Sequence, residues 1–137
     1  MDPYAGWRNH HASLMQKSFM KEGGIFDHNG NSLAASASFT PSAQEVKGIK
    51  DAILTGDTSV TTSGIKLNKE SFAVLKLERS DRMCLLKSKS KQDTEPLAGC
   101  VMVCPTVVVI GVSADGGVRG AGAGEVIRVA NYITDNT

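Results

Sequence analysis

Asn29-Gly30 separates two apolar runs, and Asn-Gly is the dipeptide favoured by a two-residue hairpin turn. Ile25 and Phe26 begin the first strand, and residues 31–39 form the return. One side of that return carries Leu33, Ala35, Ala37 and Phe39, and the other carries Ser32, Ala34, Ser36 and Ser38, small enough for a helix to lie close to the sheet. More strand-like runs follow at 71–77, 83–87, 100–103 and 107–112. Their connections are Arg79-Ser80-Asp81, the polar stretch 88–95, and Pro105-Thr106. Successive strands on short connections pair antiparallel, because a parallel pair needs a crossover of a dozen residues or more. Alternation over 71–77 puts Phe72 and Val74 on one side and Ala73, Leu75 and Leu77 on the other.

Helical patterns bracket and interrupt these strands. Trp7, His10, His11, Leu14 and Met15 share one helical face, and Gly23-Gly24 marks the end of that segment. Thr40-Pro41 reads as an N-cap followed by the first helical residue, while Ser42 and Glu45 offer a competing capping box one register later. Val46, Ile49, Ile53 and Leu54 form the apolar stripe of that helix, and the Thr- and Ser-rich residues 56–64 read as a loop. The last helix covers about 122–135, with Val126, Val129, Ala130 and Ile133 inward. Helices set apart from a run of antiparallel strands define an α+β fold.

A chain of 137 residues fits one domain, residues 1–137, and can close a core without disulfides or a metal. Its formal charge of +1 gives no bulk attraction to nucleic acid, so any charged partner must be met by local clustering. Cys84, Cys100 and Cys104 are an odd set, which argues against a secreted disulfide framework. Met1-Asp2-Pro3-Tyr4 lacks a secretory pattern, and the apolar run 100–112 is shorter than the roughly 20 residues a membrane helix needs. The expectation is a cytoplasmic protein of a reducing compartment, monomeric by default.

Three patterns carry candidate chemistry. Strand 107–112 leads into the glycines between Gly117 and Gly124 and then a helix, which suggests a phosphate loop. The chain lacks the βαβ context, the later acidic residue and the Gly-Lys-Ser/Thr that such sites use, so the glycines read as a turn. Cys100 and Cys104 lack a second ligand pair, and no carboxylate is set to orient His10, His11 or His28. No catalytic residue, metal site or cofactor is expected. Lys76, Lys87, Lys89, Lys91, Arg79 and Arg82 give one region of the sheet positive character, suited to an acidic protein or an anionic headgroup. Trp7 and Tyr132 could stand together if the terminal helices pack side by side, and exposed aromatics are what polyproline helices dock on.

These residues together resemble the profilin family. The likeness lies in Trp7 opening the first helix and the strand-turn-strand of residues 25–39. It continues through Pro41, Gly64-Ile65-Lys66-Leu67, Gly117-Val118-Arg119-Gly120 and Ala130-Asn131-Tyr132-Ile133. The resemblance implies a central antiparallel sheet with the N- and C-terminal helices on one face and short helices on the other. It implies binding of monomeric actin through Lys76, Lys87, Lys89, Val118, Arg119, Gly124, Glu125 and Arg128. It also implies a groove of Trp7, His10, Leu33 and Tyr132 for proline-rich proteins such as formins, and binding of phosphatidylinositol bisphosphate by overlapping basic residues. His10 stands where the family has a Tyr and Leu33 where it has a second Trp, so proline-rich ligands are expected to bind weakly or differently. Pro105 departs from the family's Lys-Thr turn. The alternative is a small α+β sensor or adaptor domain for a metabolite or a trafficking partner.

Overall fold

The computed structural model describes residues 5–57, 59–68, 70–88, 97–114 and 121–135. Its elements are α1 (Ala5–Leu14), β1 (Met20–Asp27), β2 (Ser32–Ala35), α2 (Ala43–Thr55), α3 (Ser59–Ser63), β3 (Ile65–Leu67), β4 (Glu70–Glu78), β5 (Met83–Ser88), β6 (Leu97–Val103), β7 (Val107–Ala114) and α4 (Ala121–Asp135). The strands make one seven-stranded sheet in the order β2-β1-β7-β6-β5-β4-β3, and every neighbouring pair is antiparallel. The first hairpin therefore docks on the last strand, which brings the two ends of the chain to one part of the sheet.

Two apolar layers sandwich the sheet. On one face α1 and α4 cover Ile25, Cys100, Val107 and Val109 with Leu14, Val126, Val129, Ala130 and Ile133. On the other, Val46, Ile49 and Ile53 of α2 pack with Phe26, Phe39, Phe72, Leu86, Val108 and Ile110. β7 serves both layers by alternation, which explains why seven of its eight residues are buried in sequence. The α+β class, the antiparallel sheet and the pairing of the terminal helices on one face are as the sequence implied.

Several local expectations are corrected. The strand begins at Met20, so Gly23 and Gly24 lie inside β1 and do not end α1. They are glycine because the backbone is crowded there: a Cβ on Gly23 would stand 2.8 Å from the Ile110 carbonyl oxygen and 3.0 Å from Leu14. The hairpin turn is a three-residue loop rather than a two-residue Asn-Gly turn. Gly30 N–H donates to the Asp27 carbonyl at 3.0 Å, and Asp27 N–H donates to the Asn31 carbonyl at 2.9 Å. Of the loop residues only Gly30 has a positive φ, of 90°, whereas the expected turn requires two. The Asp27 carboxylate settles this geometry by accepting the N–H groups of Asn29 and Asn31, each at 2.9 Å, and these bonds hold its pKa below the usual carboxylate range.

The capping box defeats the Thr40-Pro41 start. Ser42 Oγ accepts from Glu45 N–H at 3.1 Å, while Glu45 Oε1 accepts from Ser42 N–H at 2.9 Å. Residues 59–63 form the short helix α3 instead of continuous loop, and Ile65–Leu67 adds an edge strand that periodicity did not reveal. β2 ends at Ala35, and Phe39 reaches the core from a turn, edge-on to Phe26 at 6.0 Å.

Two bulges overturn simple alternation. The β1–β2 register slips between Ile25 and Phe26, leaving Leu33 as the extra residue. Leu33 therefore packs with the terminal-helix layer, whereas Ala35 packs with the α2 layer. The β4–β5 register slips between Val74 and Lys76, leaving Leu75 extra and 63% exposed. Phe72, Val74 and Leu77 consequently share the α2 layer.

Candidate functional site

α1 and α4 run against each other, and their seam carries an open groove of about 430 Å³. Its walls are Gly6, Asn9, His10 and Ser13 of α1 with Arg128, Val129 and Tyr132 of α4. Helical spacing explains both walls: Gly6, Asn9, His10 and Ser13 fall on one stripe of α1, as Arg128, Val129 and Tyr132 do on α4. The inward faces of the same helices hold Leu14, Val126 and Ile133 in the core, so the walls sit on rigid elements.

Three rings line up along this seam. The His10 imidazole lies 5.8 Å from Trp7 at 52° and 5.6 Å from Tyr132 at 58°, centroid to centroid. Trp7 and Tyr132 are thus linked through His10, which takes an aromatic place in the series. Tyr132 is 59% exposed, while Trp7 is half-buried against the helix layer. Leu33 packs on the same apolar layer as Trp7 and, with Arg8, Ser32, Ala34 and Ala35, lines a second, smaller groove of about 270 Å³ between α1 and β2.

Arg128 fastens the seam. Its guanidinium donates to Ser13 Oγ at 3.1 Å and to the Ser13 carbonyl at 3.0 Å, and it pairs with Glu125 Oε1 at 3.0 Å. Ser13 sits in the last turn of α1, where carbonyls lack helical partners and a cation is favoured. His11, on the neighbouring stripe of α1, turns away from the groove, with Nε2 3.1 Å from Ser36 Oγ. Burial pushes its pKa below 6.5, and a hydrogen bond to the backbone of Gly23 offsets part of that shift.

The second candidate surface lies on the same side of the sheet, beside α4. α4 covers β6 and β7. Beyond them, β5 presents Met83, Leu85 and Lys87 to this side, with Leu85 and Met83 packed at the margin of the helix layer. Lys76 opposes Leu85, and Lys87 opposes Ala73. Both lysines are exposed, and Lys76 Nζ lies 3.7 Å from Glu78 Oε1. On α4, Gly124 is exposed with open space where a Cβ would stand, and Glu125 is half-buried against Arg128. The residues read in sequence as one actin-facing set therefore divide. Lys76 and Lys87 share a patch, Gly124 and Glu125 lie on the first turns of α4, and Arg128 belongs to the groove wall. Lys89, Val118 and Arg119 lie outside the described residues, as do Lys91 and most of the glycine loop.

Sequence reasoning missed Asn9, Ser13 and Arg8 as wall residues. The signal was present, since each lies within one helical turn of Trp7 or His10. The three thiols are buried. Burial raises Cys84 to about 11 and Cys100 to about 12, and it also raises Cys104, whose Sγ lies 3.5 Å from the Ala130 carbonyl oxygen. Groups held this far from ionisation act as small core residues rather than nucleophiles.

The sequence model of the profilin family matches residues 5–137. Among solved structures, rat profilin 2a is 21% identical, with 98% of this chain and 99% of that one covered at a TM-score of 0.83. Mouse profilin IIa, solved in complex with a double repeat from the FH1 domain of mDia1, is 20% identical, with 96% and 99% covered at 0.81. LokiProfilin1, solved in complex with rabbit actin, is 10% identical, with 100% and 98% covered at 0.69. These likenesses show a shared fold. No curated protein sequence matches the chain. With a family model spanning nearly its whole length, and a sheet-and-helix arrangement shared with solved members, the chain belongs to the profilin family.

Proposed function

We propose that this protein is a cytoplasmic actin-monomer binder that regulates actin polymerisation and also takes proline-rich ligands. The observation that carries the reading is the family match over residues 5–137, supported by the structural likeness to a profilin solved with actin. The match favours it over a metabolite sensor or trafficking adaptor. The actin-facing surface is the open patch of Lys76, Leu85 and Lys87 together with Gly124 and Glu125 at the start of α4. Lys89, Val118 and Arg119 complete it by resemblance. Binding there acts by differential affinity for conformations of actin, with no covalent step on this chain. An anionic phosphatidylinositol bisphosphate headgroup competes for the same lysines.

The proline-rich ligand lies along Trp7, His10 and Tyr132, with Leu33 at the neighbouring groove. Aromatic contacts contribute about 0.5–1.5 kcal/mol each beyond area burial. Imidazole at His10 and an aliphatic chain at Leu33 therefore make for weaker or altered binding.

Competition with labelled, purified actin monomers tests the main reading. The wild-type chain is expected to bind. Reversing both lysines (Lys76→Glu with Lys87→Glu) should weaken binding on the order of tenfold, and the gap should narrow as salt rises. Absence of binding by the wild-type chain defeats the reading, and an unchanged affinity in the reversed variant defeats the assigned face.

A further inference from the structure

One helical turn beyond the His10–Tyr132 contact, the seam between α1 and α4 turns polar. Ser13 follows His10 on α1 and Arg128 precedes Tyr132 on α4, each within a turn, so the two pairs lie side by side along the groove. There the Arg128 guanidinium bridges the helices, and Asn9 stands on the facing wall.

The donors of Arg128 are more numerous than its partners. A guanidinium carries five N–H groups and no acceptor. Three are committed: Nη1 donates to Ser13 Oγ at 3.1 Å, and Nη2 donates to the Ser13 carbonyl at 3.0 Å and to Glu125 Oε1 at 3.0 Å. Among the described residues, one N–H on Nη1 and the one on Nε have no acceptor. The three bonds fix the plane of the fork, so these two donors are held in place, on a side chain 44% exposed at the groove wall. Asn9 is exposed on the same groove, and its amide, with two N–H donors, makes no hydrogen bond to a described residue.

A polyproline helix offers what such a wall needs. It has no N–H at each proline and no internal hydrogen bonds, so its carbonyl oxygens stand open as acceptors. Its rise of about 3.1 Å per residue lets two residues cover about the length of one α-helical turn, 5.4 Å. A ligand lying along the seam with one part on the rings thus brings the carbonyls about two residues onward beside Arg128.

We propose that Arg128, with Asn9 opposite, is the specificity-determining residue of this groove, donating to the backbone carbonyls of the proline-rich ligand. Rings accept a proline segment by shape, whereas two fixed donors select the spacing and direction of its carbonyls. The inference rests on the groove reading given above, and it moves Arg128 from the actin-facing set to the proline-reading one.

The test uses the intact chain and a synthetic peptide of about ten prolines, followed through the single Trp, Trp7. Arg128→Met keeps the aliphatic stem without donors and is expected to bind about tenfold more weakly than wild type. Asn9→Asp keeps the side chain's size without its donors and is expected to weaken binding about threefold. Because Arg128 also ties α1 to α4, contact is read directly on the ¹⁵N-labelled wild-type chain. The Arg128 Nε–H and Asn9 side-chain NH₂ resonances, assigned by their absence in the two variants, are expected to move downfield as the peptide saturates. A purely structural clamp would leave them in place. Unmoved resonances at saturation overturn the proposal, as does unchanged affinity in Arg128→Met. Failure of the peptide to bind the wild-type chain overturns the groove reading itself.

Discussion

Gly111 faces Val126 across the α4–β7 contact, and a Cβ there would overlap the valine methyl and crowd Met20. Both neighbours are fully or nearly buried, so neither has room to retreat. Gly111→Ala should therefore lower stability by about 1–3 kcal/mol in urea unfolding, the usual range for overpacking a core. Gly124→Ala meets open space on the exposed side of α4 and should instead hold or raise stability, since alanine favours a helix interior by about 1 kcal/mol. The thiols give a second residue-level expectation. With Cys84 raised to about 11 and Cys100 to about 12, an exposed-thiol reagent near neutral pH should label the native chain slowly and the urea-unfolded chain fast. Rapid labelling of the native chain would mean that the layers open on the time scale of the reaction.

At the scale of elements, α1 owes part of its seat to His11. The unfolded chain takes up this proton first as pH falls, because burial lowers the folded value below 6.5. The unfolded state then carries more protons, and stability rises with pH across that interval. The contribution is complete above 6.5 and is lost as pH drops through the folded value. Unfolding midpoints should fall between about pH 7 and about pH 5 by more in the wild type than in His11→Gln. For α2, Ser42→Ala removes one half of the capping box and should cost about 1 kcal/mol. The same substitution at Thr40 should spare that cap, since Thr40 bonds to Asn68 Oδ1 instead.

Elements were legible in the sequence where one stripe of residues decides them. Val126, Val129, Ala130 and Ile133 specify α4, and the nearly unbroken apolar run 107–112 specifies β7. What escaped depends on a neighbouring strand. The bulges at Leu33 and Leu75 exist only relative to Ile25 and Leu85, and the crowding that calls for Gly23 comes from Ile110, far along the chain. In the groove, Trp7 and Tyr132 were legible as aromatics on helices. The place of His10 between them was not, because the rotation of two packed helices about their axes is set by the buried stripes of both.

For the whole molecule, the two candidate surfaces rest on different parts of the sheet. The lysine patch stands on β4 and β5, and the groove stands on the helices over β1, β6 and β7. Charge reversal at Lys76 and Lys87 should therefore leave proline-peptide titrations of Trp7 unchanged, and Tyr132→Ala should leave actin binding intact. A variant that loses both together would show that the surfaces are coupled through the core.

Arg128 reaches Ser13 across 115 positions of sequence. A ribosome-bound chain that has not yet emerged past α4 carries the first wall of the groove without the second. The groove is thus whole only once α4 has joined α1, and any ligand gripped there holds the two most distant helices together against fraying.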